Sequence, residues 1–104
     1  MLTIIDHIRL KHPDHRAAFV KWVREVDYAA CRDLPSVVRF EMHEAAGNAE
    51  FDFFEIILVS SREAFERDMK LPLFVSLQAR FSEMASVVRQ IAGAPVPPGY
   101  VRRA

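Results

Sequence analysis

Three of the four histidines of this chain fall within nine positions, and histidine is the side chain most often used for proton transfer near neutral pH. The segment is DHIRLKHPDHR, residues 6–16, and it contains His7, His12 and His15. These residues could bind a metal ion together, act in acid/base chemistry, or have no common role. The choice depends on the secondary-structure elements that carry them.

His7 lies in an apolar, β-branched segment that predicts a strand from Leu2 to Lys11. In that strand His7 and Arg9 share the face opposite the aliphatic residues, and Asp6 interrupts the aliphatic face. The other two histidines follow at the turn into the next element, where exposed polar residues are ordinary. Only His7 is therefore expected to face a site inside the fold.

Two longer segments predict helices. Residues 12–35 place Pro13 at a favoured first helical position and carry apolar residues at helical spacing. The expected buried face of this helix consists of Phe19, Trp22, Val23, Val26 and Ala30. Residues 60–85 predict a second helix with an interruption near Leu71 and Pro72.

A hairpin is predicted between the two helices. Residues 36–44 and 51–60 alternate in polarity and predict its strands, joined by a turn. Matching apolar faces places Glu41 opposite Glu55, which needs a connecting loop of three or five residues. If both carboxyl groups face inward, their repulsion raises the pKa of one of them.

The last part of the chain predicts a short strand followed by a tail. Residues 86–92 favour a fourth strand, although a helix that continues to Ala92 fits the same pattern. Residues 93–104 contain three prolines and two glycines and are expected to be extended. The predicted organisation is one domain, residues 1–92, with a tail that can reach across a partner.

The order strand, helix, strand, strand, helix, strand predicts an α+β fold of the ferredoxin-like βαββαβ type. Its antiparallel sheet has the order 4-1-3-2, with both helices on one face. The apolar residues expected on the other face are Ile5, Val37, Phe53, Ile57 and Val59. Because that face is too apolar for open solvent, we expect a homodimer in which two sheets pack together as a dimeric α+β barrel around a ligand space.

Composition narrows the classes of partner and cofactor. The 104 residues include 14 basic and 14 acidic side chains without a basic patch, so nucleic acid is not an expected partner. No apolar run approaches the roughly 20 residues of a membrane helix, and the single Cys31 fits a reducing compartment, so a cytoplasmic location without membrane contact is expected. The helical pattern around Cys31 favours a structural thiol over a catalytic one. No phosphate-binding or dinucleotide motif occurs, and no cofactor is expected.

Several short motifs resemble a known family. The segments DYAACRDLPSV and EIILVSSREAFERDM, and the spacing from the second to LPLF, are similar to the RedY and HapK proteins encoded in biosynthetic clusters for prodiginine tripyrrole pigments. The similarity runs along most of the chain. It implies a fold similar to the dimeric α+β barrels and a secondary-metabolite protein that handles an aromatic, nitrogen-containing intermediate, promoting a condensation or cyclisation.

The predicted sheet order brings four candidate catalytic residues to its inner face: His7, Glu41, His43 and Glu55. A histidine beside a carboxylate is a reasonable general base, since the carboxylate fixes its tautomer and stabilises the imidazolium. We therefore expect His7 to transfer protons with Glu55 as its orienting partner, and His43 with Glu41 to form a second pair. The alternative is that these residues are charge pairs of a dimer interface without chemistry.

Four further residues are candidates for substrate binding. Arg9 and Arg39 flank the predicted pairs and could hold an anionic or enol oxygen, and Phe53 could provide a wall for a flat molecule. Tyr28 either packs within the first helix or reaches the cavity mouth.

A metal centre is also conceivable but is not the expected site. His7, His43 and Glu55 would provide the two histidines and one carboxylate that suit non-haem iron. No H-x-x-x-H or Cys-His pattern supports it, so no metal is expected.

The leading hypothesis is a cofactor-independent enzyme of cyclase or isomerase type that acts on an aromatic intermediate of secondary metabolism. One alternative is a dimeric carrier that sequesters a reactive intermediate. A purely structural dimer, whose interior is filled by side chains, is the third.

Overall fold

The computed structural model describes residues 1–47 and 50–104 and contains a four-stranded antiparallel sheet. Its strands are β1 (Leu2–Leu10), β2 (Val37–Glu44), β3 (Phe53–Val59) and β4 (Ala85–Gly93). They lie in the order β2-β3-β1-β4. The predicted α+β fold and its strand order are confirmed.

The described residues also form three helical segments. The first, α1, covers residues 13–33 and consists of Pro13–His15, Arg16–Trp22, Val23–Asp27, Tyr28–Ala30 and Cys31–Asp33. The others are α2 (Arg62–Asp68) and α3 (Pro72–Met84). The break between α2 and α3 is confirmed, since Pro72 begins α3 at a position where its missing N–H costs nothing.

Residues 85–93 form a strand, which confirms the fourth strand and rules out the continued helix. A bulge between His7 and Ile8 shifts the register of β1 against β4. Residues 94–104 form no helix or strand and are exposed. No helix in the described part of the chain is long and apolar enough to cross a membrane.

The middle of α1 contains a π turn at Val23–Asp27. There the Tyr28 N–H donates to the carbonyl of Val23, five residues back instead of four. The extra residue rotates the second half of the helix, so Val26 is 45% exposed and its predicted place in the buried face is wrong. Ala30 is buried as predicted, and the residues that line the cavity here are Asp27, Cys31 and Leu34.

The register of β3 differs from the predicted one by a single residue. Glu41 lies opposite Ile56, and Glu55 lies opposite Asp6 on one side and Met42 on the other, so the predicted Glu41–Glu55 pairing is wrong. The paired strands end at Glu44 and Phe53, leaving a connection longer than predicted; within it, Asn48 and Ala49 lie outside the described residues.

This register decides which side of β3 meets the helices. Phe53, Ile57 and Val59 are buried in the helix-covered core, not on the other face as predicted. A bulge between Val37 and Arg39 also brings Val37 against that core. The uncovered face instead carries three residues of β3, Phe54, Ile56 and Leu58, beside Ile5 and His7 of β1.

The core centres on Phe19 of α1, which is fully buried. Its ring centroid lies 4.9 Å from that of Phe53 on β3, 5.9 Å from Phe81 on α3 and 6.1 Å from Trp22. The helical layer is therefore joined to the sheet by tilted and edge-on aromatic rings, and edge-on pairs are among the arrangements that aromatic side chains prefer.

Candidate functional site

A cavity of about 220 Å³ lies between the helices and the sheet. Its wall includes aromatic residues from every helical segment and from β2: Trp22, Phe40, Phe65, Phe74 and Phe81. An apolar void of about 150 Å³ is large enough to bind benzene. This cavity therefore has room for a substituted ring or a fused pair of rings.

Two carboxyl groups form the sheet side of the cavity. Asp6 of β1 and Glu55 of β3 are directly paired across the strands. Asp6 is buried, and its Oδ1 accepts a 2.8 Å hydrogen bond from Gln90 Nε2 on β4. Burial, a hydrogen bond with Asp6 and the charges of Asp6 and Asp27 hold the pKa of Glu55 well above its usual range.

The raised pKa favours the protonated, neutral form of the Glu55 carboxyl group. Gln90 donates to the Asp6 carboxyl group and holds it beside Glu55. A neutral carboxylic acid in a partly dry cavity can donate a hydrogen bond or a proton to a ligand. Protonated Glu55 would therefore supply a hydrogen-bond or proton donor on the sheet side of the cavity.

A third carboxyl group lies on the helix side. Asp27, the last residue of the π turn, lines the same cavity, and burial raises its pKa from 3.8 to about 6. No lysine, arginine or histidine of the described residues lines this cavity. The cavity thus favours neutral or cationic molecules and disfavours anions.

Cys31 also lines the cavity, one helical turn after Asp27. Burial and the charges of Asp27 and Glu55 raise the pKa of its thiol to about 11. The thiolate, which is the reactive form, is therefore scarce near neutral pH, in keeping with a structural thiol.

Of the four predicted catalytic residues, only Glu55 lies in this cavity. His7, His43 and Glu41 lie on the opposite face of the sheet, so the predicted pair of His7 with Glu55 is wrong because of the one-residue difference in register. His43 is stacked on Phe54 with the ring centroids 4.8 Å apart.

The remaining predicted groups on that face contact one another. His43 Nε2 lies 3.3 Å from Glu41 Oε1, so this second predicted pair is in contact. The contact with His43 lowers the pKa of Glu41. His7 stacks on Phe51 at 4.2 Å. These residues form a polar and aromatic patch on the uncovered face.

None of the four predicted substrate-binding residues lines the cavity. Arg9 is exposed and donates to the carbonyl of Glu50 at 3.1 Å, and Arg39 lies 3.5 Å from Glu41. Phe53 is a core residue.

Tyr28 has a packing role. Its hydroxyl accepts the Met42 N–H at 3.0 Å, and its ring contacts Phe40 edge-on at 5.5 Å. Of the two alternatives for Tyr28, packing or the cavity mouth, these contacts support packing.

The conceivable metal centre does not form. His7 and His43 lie on the face of the sheet opposite Glu55, so the three side chains cannot converge. Among the described residues, no group of three or more histidine, cysteine, aspartate or glutamate side chains could hold a metal ion.

The sequence patterns missed three residues of the site: Asp6, Asp27 and Gln90. One signal was available, because Asp6 interrupts an otherwise aliphatic strand face. Asp27 faces the cavity because of the π turn, and the spacing of apolar residues in the sequence does not reveal such a turn. Gln90 stands among exposed residues of an edge strand and gave no signal.

Comparison with known proteins identifies close similarity to one of them. The family described as REDY-like protein HapK matches residues 2–96. The crystal structure of HapK from Hahella chejuensis has 45% sequence identity and a TM-score of 0.93, and the match covers 99% of this chain and 100% of that chain. No curated protein sequence matches the chain.

More distant structures share the fold. SnoaB from Streptomyces nogalater, a cofactor-independent oxygenase, is 12% identical with a TM-score of 0.70, covering 93% of this chain and 94% of that one. MupZ from Pseudomonas fluorescens is 12% identical with a TM-score of 0.71, covering 88% and 69%. At these identities the likeness concerns the fold alone.

Proposed function

Because the chain belongs to the family of REDY-like HapK proteins, we propose that it is a secondary-metabolite biosynthesis protein whose cavity binds a flat aromatic intermediate. The intermediate is of pyrrole or indole type, and the protein promotes its condensation or cyclisation by cofactor-independent acid/base catalysis. The observation that carries this proposal is the direct pairing of the Asp6 and Glu55 carboxyl groups inside a cavity with aromatic walls.

In this proposal the chain supplies binding, orientation and one proton. The aromatic wall holds flat rings between the helices and the sheet, where stacked and edge-on contacts are favourable. Glu55 donates a proton to the bound molecule, and Asp6 accepts the hydrogen bond of that acid until transfer occurs. Gln90 keeps Asp6 in place as the acceptor.

Glu55→Gln separates catalysis from binding, because glutamine keeps the shape and hydrogen-bonding capacity of the acid but cannot release a proton. With a pyrrole- or indole-type compound that the wild-type protein converts as substrate, we expect the turnover rate to fall about 100-fold. Binding, measured by calorimetry, should stay within a few-fold. Glu63→Gln, the same change at an exposed position of α2, is the matched control.

The competing proposal is a carrier that only sequesters the intermediate. If Glu55→Gln binds the intermediate and converts it as fast as the wild type, the catalytic role of Glu55 is lost and the carrier remains. If the wild-type protein binds no such intermediate, both proposals fail.

We also propose that the uncovered sheet face packs against a second copy. The helices whose packing is described lie on the other face, while Phe54, Ile56 and Leu58 are left as an apolar band. Bands of this kind on soluble proteins mark interaction surfaces. His7, His43 and Glu41 would then be interface groups that fix the register of the two sheets.

Ile56→Asp should abolish this dimer, since it places a charge in the centre of the band, opposite Ile5. Light scattering after size exclusion is expected to give the mass of two chains for the wild type and one for the variant. The control is Val26→Asp, which places the same charge at an exposed position of α1 and should leave the protein dimeric. A monomeric wild type at micromolar concentration would contradict the proposal.

A further inference from the structure

Asp27 faces the Asp6–Glu55 pair from the other wall of the cavity. The pair belongs to the sheet, on β1 and β3, whereas Asp27 belongs to the π turn of α1. All three line one cavity, and the charge of Asp27 adds to burial and to the effect of Asp6 in raising the pKa of Glu55. A flat ring lying between the two layers would therefore meet a carboxyl group on each of its faces.

The surroundings of Asp27 suit a base. The titratable groups that face it across the cavity are Asp6 and Glu55, and Cys31 follows it on its own helix. The polar cavity residues from α3 and β4, Gln78 and Gln90, are uncharged. Burial makes the carboxylate of Asp27 more basic than usual, with a pKa of about 6, and no cation of the described wall offsets this effect.

The carboxyl groups of the two walls therefore differ in their tendency to ionise. Asp27, with a pKa of about 6, is largely ionised near neutral pH, whereas the pKa of Glu55 is held well above its usual range, which favours its protonated form. When environments push two carboxyl groups in one site to different pKa values, one can act as the acid and the other as the base. Both would reach a ligand that spans the space between them.

We propose that Asp27 is a second proton-transfer residue of this cavity, acting on the opposite face of the bound ring from Glu55. This inference rests on the proposed function, since it requires an aromatic ligand in the cavity. It adds a class of reaction to that function, a proton shift on an electron-rich ring. In this shift Glu55 gives a proton to the ring and Asp27 removes one.

The step balances without a further reactant. The O–H bond of Glu55 breaks, and its proton forms a new C–H bond with a pair of π electrons of the ring. On the other face the Asp27 carboxylate removes a proton from the same or a conjugated carbon, and the electrons of that bond return to the ring. Exchange with water restores both carboxyl groups, so nothing is oxidised or reduced.

Indole is a suitable probe, because it fits the cavity volume and exchanges its C3 hydrogen by this two-step route. The experiment follows loss of the C3 proton signal by NMR in D₂O, with and without protein. We expect wild-type protein to accelerate the loss, and Asp27→Asn and Glu55→Gln each to reduce that acceleration at least about tenfold. Asp27→Glu should restore part of it. Asp33→Asn, at the exposed end of the same helical segment, should leave it unchanged.

The pH dependence distinguishes a base from a packing residue. The wild-type exchange rate is expected to rise as the pH passes through about 6, where Asp27 ionises, and to fall at higher pH as Glu55 loses its proton. Asp27→Asn should lose the rise and keep the fall. Indole affinity, measured by calorimetry, should remain within about threefold in every variant.

Three results would contradict all or part of this inference. If Asp27→Asn exchanges indole as fast as the wild type, Asp27 is not a proton-transfer residue. If wild-type protein binds indole without accelerating exchange, the proton shift is overturned and aromatic binding in the cavity survives. If wild-type protein does not bind indole, aromatic binding by this cavity fails, and the inference fails with it.

Discussion

Replacing Phe19 with alanine is expected to lower the free energy of unfolding by about 4 kcal/mol. The ring is fully buried and touches aromatic rings from α1, β3 and α3, those of Trp22, Phe53 and Phe81. Neighbours on three different elements cannot all move to fill the space, so most of the cavity remains. Urea unfolding followed by the fluorescence of Trp22 measures the loss.

A substitution at an exposed position is the control for the loss of stability in Phe19→Ala. Val75 of α3 is 56% exposed, and Val75→Ala should change the free energy of unfolding by less than about 0.5 kcal/mol. Equal losses for the two variants would mean that Phe19 is not the centre of the core.

Asp27→Asn is expected to stabilise the protein at pH 8 but hardly at pH 4. Folding raises the pKa of Asp27 from 3.8 to about 6, so the native state holds the proton more tightly than the unfolded state. The contribution of this group to stability is therefore fully present below pH 3.8 and is lost as the pH rises through about 6. By pH 8 the loss amounts to about 3 kcal/mol.

Asparagine cannot ionise, so the Asp27→Asn variant does not lose this stability as the pH rises. The difference in the free energy of unfolding between Asp27→Asn and wild type should grow by about 2.5 kcal/mol in favour of the variant between pH 4 and pH 8. Urea unfolding at both pH values gives this difference, and the contribution of Glu55 cancels because both proteins contain it. Asp33→Asn, at an exposed position, should show no such growth. A constant difference for Asp27→Asn would show that the carboxylate is not penalised by burial.

Asp27 is thus expected to lower the stability of the fold at the pH at which it would transfer protons. A buried, ionised carboxylate with no cation of the described wall beside it contributes nothing to packing that asparagine could not. Unfavourable groups of this kind persist where function requires them, since selection for activity and for stability diverge at such sites.

Much of the fold was predictable because it rests on long, regular patterns. The strand order follows from the sequence of elements, and the break before Pro72 follows from proline chemistry. The register of β3 was not predictable, because both of its faces are apolar. Phe53 and Ile57 on one face look much like Phe54 and Ile56 on the other, so alternation cannot say which face meets the helices.

The candidate site was predictable only where a residue broke a pattern. Asp6 is such a residue, an acid on an aliphatic strand face, and it lies in the cavity. Glu55, a predicted catalytic residue, lines the cavity, but its predicted neighbour His7 does not lie beside it, since the neighbour depends on the register. Asp27 could not be found from a helical repeat of 3.6 residues, which turns it away and turns Val26 inward.

The π turn also bears on how relatives of this chain should be aligned. A π turn is an α turn with one residue inserted, so a related chain without the insertion would form a continuous α-helix with both of its halves unchanged. Its sequence would then need a one-residue gap in the middle of a helix, where alignments seldom place one. The residue equivalent to Asp27 should accordingly be located by counting four positions back from Cys31, not eight positions forward from Phe19.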